Sequence, residues 1–266
     1  MKIYISADIE GVCGSTHWDE ANKDKGDYRE FQQQMTAEVK AACEGAFAVG
    51  AHEIMIKDAH ATGRNIIQGE LPSNTQLIRG WSGHPYSMVQ ELDDSFAAIM
   101  FIGYHARAGS DGNPLAHTMS SSVVDYLKIN GRFASEFLVH GYVAASFGVP
   151  LVFLSGDEAI CQESLSIVAD IRTVAVKKGI GNSTVNIHPQ QAIDLIRSGV
   201  EKALSGDLEL CRLPKPDKYQ IEIRFKKQIQ AYKASFYPGV TLIDSQTIAY
   251  ASDSYFDVMR MRSFVI

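Results

Sequence analysis

The chain lacks any apolar run of the ~20 residues that a membrane helix needs, and its first residues run straight into a strand pattern. They do not show the basic, apolar and small-residue order of a secretory signal. It also lacks a positive surplus. The net charge of −6 disfavours nucleic-acid binding by phosphate neutralisation. Cysteine is scarce, at positions 13, 43, 161 and 211, and no pair has Cys-x-x-Cys spacing, which removes support for a zinc ribbon or a thioredoxin-type redox pair. Cys13 alone lies near other polar candidates, as a packing residue or a soft ligand. No internal repeat or low-complexity tract is present. The basic, glycine-containing stretch Lys177–Ser183 lacks Walker spacing, so a phosphate cradle is not expected; it reads as a solvated loop or as a contact with substrate or a neighbouring chain. These absences lead us to expect a soluble, cytoplasmic protein without nucleic-acid or membrane partners.

What is present is an α/β pattern. With 266 residues and 45% hydrophobic residues, the chain has the size for one large α/β domain and a smaller lobe. Lys2–Ser6 is a short strand pattern. Asp27 opens a helical pattern through Phe31, Met35, Val39, Ala42 and Ala46, ended by Gly50. His52–Lys57 is a second strand pattern, which makes a right-handed parallel crossover unit. The apolar run Ala97–Ile102 and the run Leu151–Ser155 read as strands covered on both faces. Asn130-Gly131 between apolar runs predicts a tight hairpin, Ser135-Glu136 opens a helix, and Pro189 begins another that reaches Leu204. We expect a mainly parallel sheet in a metal-binding catalytic domain over 1–190. A smaller α+β lobe is expected over 191–266, after a Pro-containing linker near Leu213–Pro216.

The first strand ends in Asp8-Ile9-Glu10-Gly11. Residues two apart in an extended segment share a side, so Asp8 and Glu10 can face one point with Ile9 turned inward. The second strand ends in Asp58-Ala59-His60 and the third in Gly103-Tyr104-His105. Open parallel sheets bind ligands outside the carboxyl ends of their strands, where Asp8, Glu10, His60 and His105 all fall. Glu136, in the first turn of a helix, is either a further ligand or a cap favoured by the helix dipole. Imidazole and carboxylate together suit zinc or another first-row divalent ion. Five ligands serve two ions only if one bridges, and Asp8, at the centre of the motif, is the natural bridge. Three carboxylates against two divalent ions leave one positive charge, which a hydroxide would balance.

These motifs, with His117-Thr118-Met119 and Ser155-Gly156-Asp157, resemble the zinc-dependent D-aminopeptidases of the dipeptide-transport operon type. The resemblance covers most of the chain and weakens after about residue 210. It implies two zinc ions, one held by Asp8, Glu10 and His60 and the other by Asp8, His105 and Glu136. It implies a catalytic role for His117, as nucleophile or as general acid–base. It further implies a three-layer α/β/α core, removal of N-terminal residues from short D-amino-acid peptides, and a ring of ten subunits. One departure is Ala59, where the family often carries serine. Two rival readings are a dipeptide-binding accessory of a transport system with structural zinc, and a hydrolase of the same fold acting on another bond, such as a phosphoester.

Overall fold

The computed structural model describes all 266 residues. β1 (Lys2–Ala7) leads through a single turn, α1 (Trp18–Ala21), to the long helix α2 (Tyr28–Ala48) and then to β2 (Glu53–Asp58). The buried side of α2 carries Met35, Val39, Ala42, Cys43 and Ala46, the spacing of three and four read from the sequence. β3 (Thr75–Ile78) and β4 (Ala98–Tyr104) follow. A hairpin of β5 (Val124–Ile129) and β6 (Arg132–Phe133) turns through Asn130 and Gly131, both at positive φ as a two-residue turn requires. Next come α3 (Glu136–Phe147), β7 (Leu151–Asp157), α4 (Glu158–Ile167), β8 (Arg172–Ile180), β9 (Ser183–Asn186) and α5 (Pro189–Leu204). β10 (Tyr219–Phe225), α6 (Gln228–Ala234), β11 (Thr241–Leu242), β12 (Thr247–Ser252) and α7 (Tyr255–Val265) complete the chain.

The large sheet has the order β3-β2-β1-β4-β7-β8-β9, parallel throughout except for β9. β4 and β7 are buried along their whole length, as their unbroken apolar runs require. The chain steps from β1 outward to β2 and β3 on one side, and from β4 to β7 and β8 on the other. Because parallel crossovers are right-handed, the two directions put α2 on one face and α3 and α4 on the opposite face. α5 packs beside α2, and α3 touches α4, which gives the three-layer core. The strand order reverses between β1 and β4, so a crevice opens at their carboxyl ends.

The small sheet, β11-β12-β10-β5-β6, is antiparallel. β10 alternates buried Tyr219, Ile221, Ile223 and Phe225 with more exposed Gln220, Glu222 and Arg224, and α6 and α7 cover the apolar face. This sheet draws strands from both sides of residue 190, while α5 packs on α2, β7 and β8 of the large layer. One apolar cluster runs from Ile3 to Ile223 and Met259, so the two sheets share a core.

The stretch Lys177–Ser183 is largely exposed, as expected, but it is a strand and turn rather than a loop, and its first residue is buried. β8 continues to Ile180 and turns into β9, and Lys177 is 3% exposed. A lysine and two glycines read as loop polarity, but this lysine places its ammonium among inward-facing backbone carbonyls. Gly11 is also needed for a different reason than a sharp turn: a Cβ there would lie 1.8 Å from the Tyr104 carbonyl oxygen. Close approach of the β1 and β4 ends sets that position. No helix is long and apolar enough to cross a membrane.

Candidate metal centre and its cleft

Asp8 and Glu10 leave the end of β1 on the same side, with Ile9 fully buried between them. Their backbone is fastened to β4: the Asp8 amide donates to the Ile102 carbonyl (2.9 Å) and the Gly11 amide to the Gly103 carbonyl (2.8 Å). The Glu10 carbonyl accepts from Asn113 Nδ2 (3.0 Å), Ser15 Oγ (3.0 Å) and the Lys177 ammonium. His60 stands two residues beyond β2. Its loop is tied by Asp58, which accepts from the Asn65 and Ile66 amides and from Asn65 Nδ2, while Asn65 Nδ2 also donates to the His60 carbonyl (2.8 Å).

Three imidazoles follow one rule. A carbonyl only accepts, so the ring nitrogen facing it carries the hydrogen. His60 donates from Nε2 to the Ala21 carbonyl (2.7 Å), His105 from Nδ1 to the Ala106 carbonyl (2.9 Å), and His117 from Nδ1 to the Leu115 carbonyl (2.9 Å). The other nitrogen of each ring faces buried carboxylates. His60 Nδ1 lies 3.3 Å from Asp8 Oδ1 and 2.9 Å from Glu10 Oε2. His105 Nε2 lies 3.6 Å from Asp8 Oδ2 and 3.5 Å from Glu136 Oε2, and His117 Nε2 lies 3.5 Å from Glu136 Oε1. The His105 and His117 rings stack with centroids 4.4 Å apart. Glu136 does not cap α3. Ser135 takes that place, accepting from the Leu138 amide, and Glu136 Oε1 accepts instead from the Met119 amide (2.7 Å).

The side chains thus form two groups, Asp8, Glu10 and His60, and His105, His117 and Glu136, with the two oxygens of Asp8 facing one group each. Zinc fits this arrangement. Two ligand atoms on one tetrahedral zinc, each 2.0–2.2 Å from it, lie roughly 3.3–3.6 Å apart, and four of the five separations above fall at that spacing. Glu10 Oε2 and His105 Nε2 are buried without any hydrogen bond, as ligand atoms would be in the absence of their ion. The backbone carbonyls that orient the three rings are the outer-shell partners typical of metal-bound histidine.

Burial and packed charge shape the titration here. Burial, reinforced by the neighbouring Glu10 charge, holds the Asp8 carboxyl well above its usual range. Burial acts the same way on Glu10 but is outweighed by the His60 charge, so Glu10 lies well below its usual range. Burial pulls His60 down, yet the Glu10 charge wins and raises it well above 6.5. In His105 burial is likewise overcome, by the Glu136 carboxylate 3.5 Å from Nε2, and the imidazole rises to about 10. Glu136 falls to about 2, as His117 and His105 outweigh its burial. Without metal, protons on the imidazoles hold this cluster together; a divalent ion replaces them.

The model of the D-aminopeptidase family matches residues 1–264. The chain belongs to the D-aminopeptidase family. A curated D-aminopeptidase of Bacillus subtilis (strain 168) is 32% identical over 243 residues, 91% of this chain and 88% of that one. The solved structure of a Zn-dependent D-aminopeptidase, DppA from Bacillus subtilis, described as a self-compartmentalizing protease, superposes with a TM-score of 0.94 at 28% identity, covering 100% of this chain and 96% of the other.

In this member of the D-aminopeptidase family the two groups open into a cleft of about 380 Å³, within the size range of small-molecule sites. Beside the charged residues it is lined by Trp18, Trp81, Met88 and Met119, with no lysine or arginine among its walls. Arg107 lies over the Phe133 ring, 4.5 Å from its centroid, and donates to the Ala108 carbonyl. Cys13 is buried with its thiol on the Ile187 carbonyl and joins neither group. Sequence reasoning missed Lys177 and Asn113, which hold the Glu10 carbonyl, and the two tryptophans. Alternation gave no signal for Lys177: Ala175 is exposed while Val176 and Lys177 are both buried, across a register shift between β7 and β8. Trp18 opens the single-turn α1 and Trp81 sits in an irregular segment, so no period marks either.

Proposed function

We propose that this chain is a cytoplasmic, two-zinc aminopeptidase that removes the N-terminal residue from short D-amino-acid peptides. The supporting observation is the set of three imidazoles, each spending one N–H on a backbone carbonyl and turning its other nitrogen toward buried carboxylates that share Asp8. In this reading Asp8, Glu10 and His60 hold one zinc, and Asp8, His105 and Glu136 hold the second. Zinc supplies Lewis acidity to a carbonyl oxygen and to water when bound. His117 has its Nδ1 hydrogen committed to Leu115, so its Nε2 is free to accept a proton and return it to the departing amine. With Asp8, Glu10 and Glu136 engaged in holding zinc, the free amino terminus of a peptide would bind beside them as a neutral amine, and the hydrophobic walls flank it. The metal-binding unit over 1–190 and the lobe over 191–266 belong to the same reading, with the 124–133 hairpin serving the lobe's sheet.

The relative's description as self-compartmentalizing supports assembly of this chain with further copies of itself, which we take to be a ring of ten. The absence of basic residues in the cleft weighs against a phosphoester substrate, which needs cationic or amide donors for its oxygens. A second reading makes His117 a ligand of the second zinc, since it groups with His105 and Glu136. The direct test is turnover of D-Ala-D-Ala, L-Ala-L-Ala and an aryl phosphate by protein as purified, after chelation and after zinc is restored. We expect D-Ala-D-Ala cleavage that chelation abolishes and zinc restores. Faster cleavage of the L-peptide or the phosphate ester overturns the assignment.

A further inference from the structure

Both tryptophans of the chain line the cleft above the metal-binding groups. Each is large, apolar and substantially exposed, Trp18 by 39% and Trp81 by 42%. Trp81 is nevertheless held rigidly. Its indole N–H donates to the Ala61 carbonyl (2.7 Å), and the ammonium of Lys57 lies over its ring, 3.9 Å from the centroid. Lys57 is itself fully buried and is pinned by the carbonyls of Asp58 (2.7 Å) and Gly80 (2.6 Å). Trp18 rests edge-on against His117, with ring centroids 5.4 Å apart. The backbone around them is strained toward the same purpose. Ala61, Ser87 and Met119, three of the five non-glycine residues at positive φ, all line this cleft. Such conformations persist where the surrounding structure dictates them, and they gather at ligand sites.

A rigid apolar surface left open beside a polar centre is a surface for a ligand's apolar part. In a peptide whose amine is held at the metal-binding groups, the side chain of the first residue branches from the carbon between that amine and the scissile carbonyl. It therefore lies against the walls next to the two groups, where the small Ala59 and Ala61 leave room and Trp18, Trp81, Met88 and Met119 supply contact. We propose that Trp18 and Trp81 are specificity-determining residues, forming a subsite for a large apolar or aromatic side chain on the N-terminal residue. This rests on the aminopeptidase reading above. Lys57 acts as a positioning residue for Trp81.

Amino-acid amides isolate this subsite, because they carry no other side chain. The test compares kcat/KM of zinc-loaded protein for D-phenylalanine amide and D-alanine amide, in wild type, Trp81→Ala, Trp18→Ala and Trp81→Phe. Wild type should favour the phenylalanine amide by about tenfold or more, the scale of small apolar differences in a fitted pocket. The ratio should fall toward one in Trp81→Ala, less in Trp18→Ala, and hold largely in Trp81→Phe, with the change carried by KM. A wild-type ratio at or below one overturns the proposal, as does a ratio unaltered in Trp81→Ala. A preference that appears only between D-Ala-D-Phe and D-Ala-D-Ala puts the subsite across the scissile bond and overturns the assignment to the first residue. Tryptophan emission gives an independent readout, since the chain has no tryptophan elsewhere. Titration of zinc-loaded wild type with D-phenylalanine should shift it saturably, and no shift counts against the subsite. If no peptide or amide is cleaved, the aminopeptidase reading fails, while this titration still decides whether the apolar walls bind an aromatic side chain.

Discussion

Asp8, Glu10 and His60 stand at the ends of two neighbouring parallel strands, whereas His105, His117 and Glu136 come from a strand end, a loop and a helix start. In the first group, register does most of the positioning: Ala7 pairs with Asp58, so the residues just beyond them emerge side by side. In the second, placement depends on longer-range ties, the Met119 amide on Glu136, the stacking of His117 on His105, and the Asp157 carboxylate that accepts from the Ala106 amide (2.7 Å). The carboxylate–imidazole separations differ accordingly, 2.9 and 3.3 Å in the first group and 3.5 Å within the second. A site can therefore combine a half set by sheet geometry with a half assembled from loops, and the loop-borne half is where our proposal puts the proton-moving group, His117. Loops over a rigid scaffold serve that role in general.

The largest expected effect removes what the halves share. Asp8→Asn replaces a charged ligand facing both groups with a neutral amide, so zinc should fall from about two ions per chain to one or fewer, with turnover at background. Elemental analysis and a D-dipeptide assay on the same preparation check this; two retained ions with normal turnover would show that the halves are independent. A smaller effect separates them. His117→Ala should retain both ions and the fold yet lose roughly 10²–10⁴-fold in kcat, the range for a positioned acid–base group. His60→Ala should lose metal and activity together. Loss of zinc from His117→Ala would make it a ligand and the second half a complete three-residue site.

The smallest effect concerns the protein stripped of metal. Its raised His60 and His105 contribute stability that is full below the ordinary imidazole value of 6.5 and is lost as pH climbs toward about 10. The lowered Glu136 contributes above its ordinary value of 4.5 and loses that contribution only as pH falls toward about 2. The raised Asp8 carboxyl acts in the same direction as the imidazoles, its contribution falling as pH climbs above 3.8. Chelated protein should thus melt highest at mildly acidic pH and drop by a few degrees toward about pH 9. Zinc-loaded protein should not show that alkaline decline, because the ions take the place of the protons. A flat alkaline limb in the chelated protein would remove the imidazole–carboxylate pairs as the source of its stability.

The parts of the site legible in sequence were those tied to strand ends. Asp8, Glu10, His60 and His105 each follow an apolar run within a few residues, and parallel-sheet topology brings such ends together. Glu136 was ambiguous because a carboxylate in a first helical turn has a second good explanation; only the contact between Ser135 Oγ and the Leu138 amide shows that the cap lies elsewhere. Lys177 and Lys57 were invisible as interior groups, since a lysine is seldom buried and nothing local announces the carbonyls that receive it. The helix α6 was missed too: its seven residues are too short to show a clear period. The open face of the small sheet, with a concavity of about 470 Å³ lined by Lys128, Gln220, Glu222 and Tyr250, carries no comparable grouping of ligand residues.

The hairpin of β5 and β6 lies in the middle of the chain but pairs with β10, and Glu136 follows it by three residues. A shortened chain stopping near residue 190 would strip β5 of that partner and leave a two-stranded ribbon with a free edge. Such ribbons are marginal in water, and unpaired edges recruit other chains. The C-terminal lobe therefore acts as a brace for the segment that presents Glu136, and trimming it should yield aggregation rather than a smaller working enzyme.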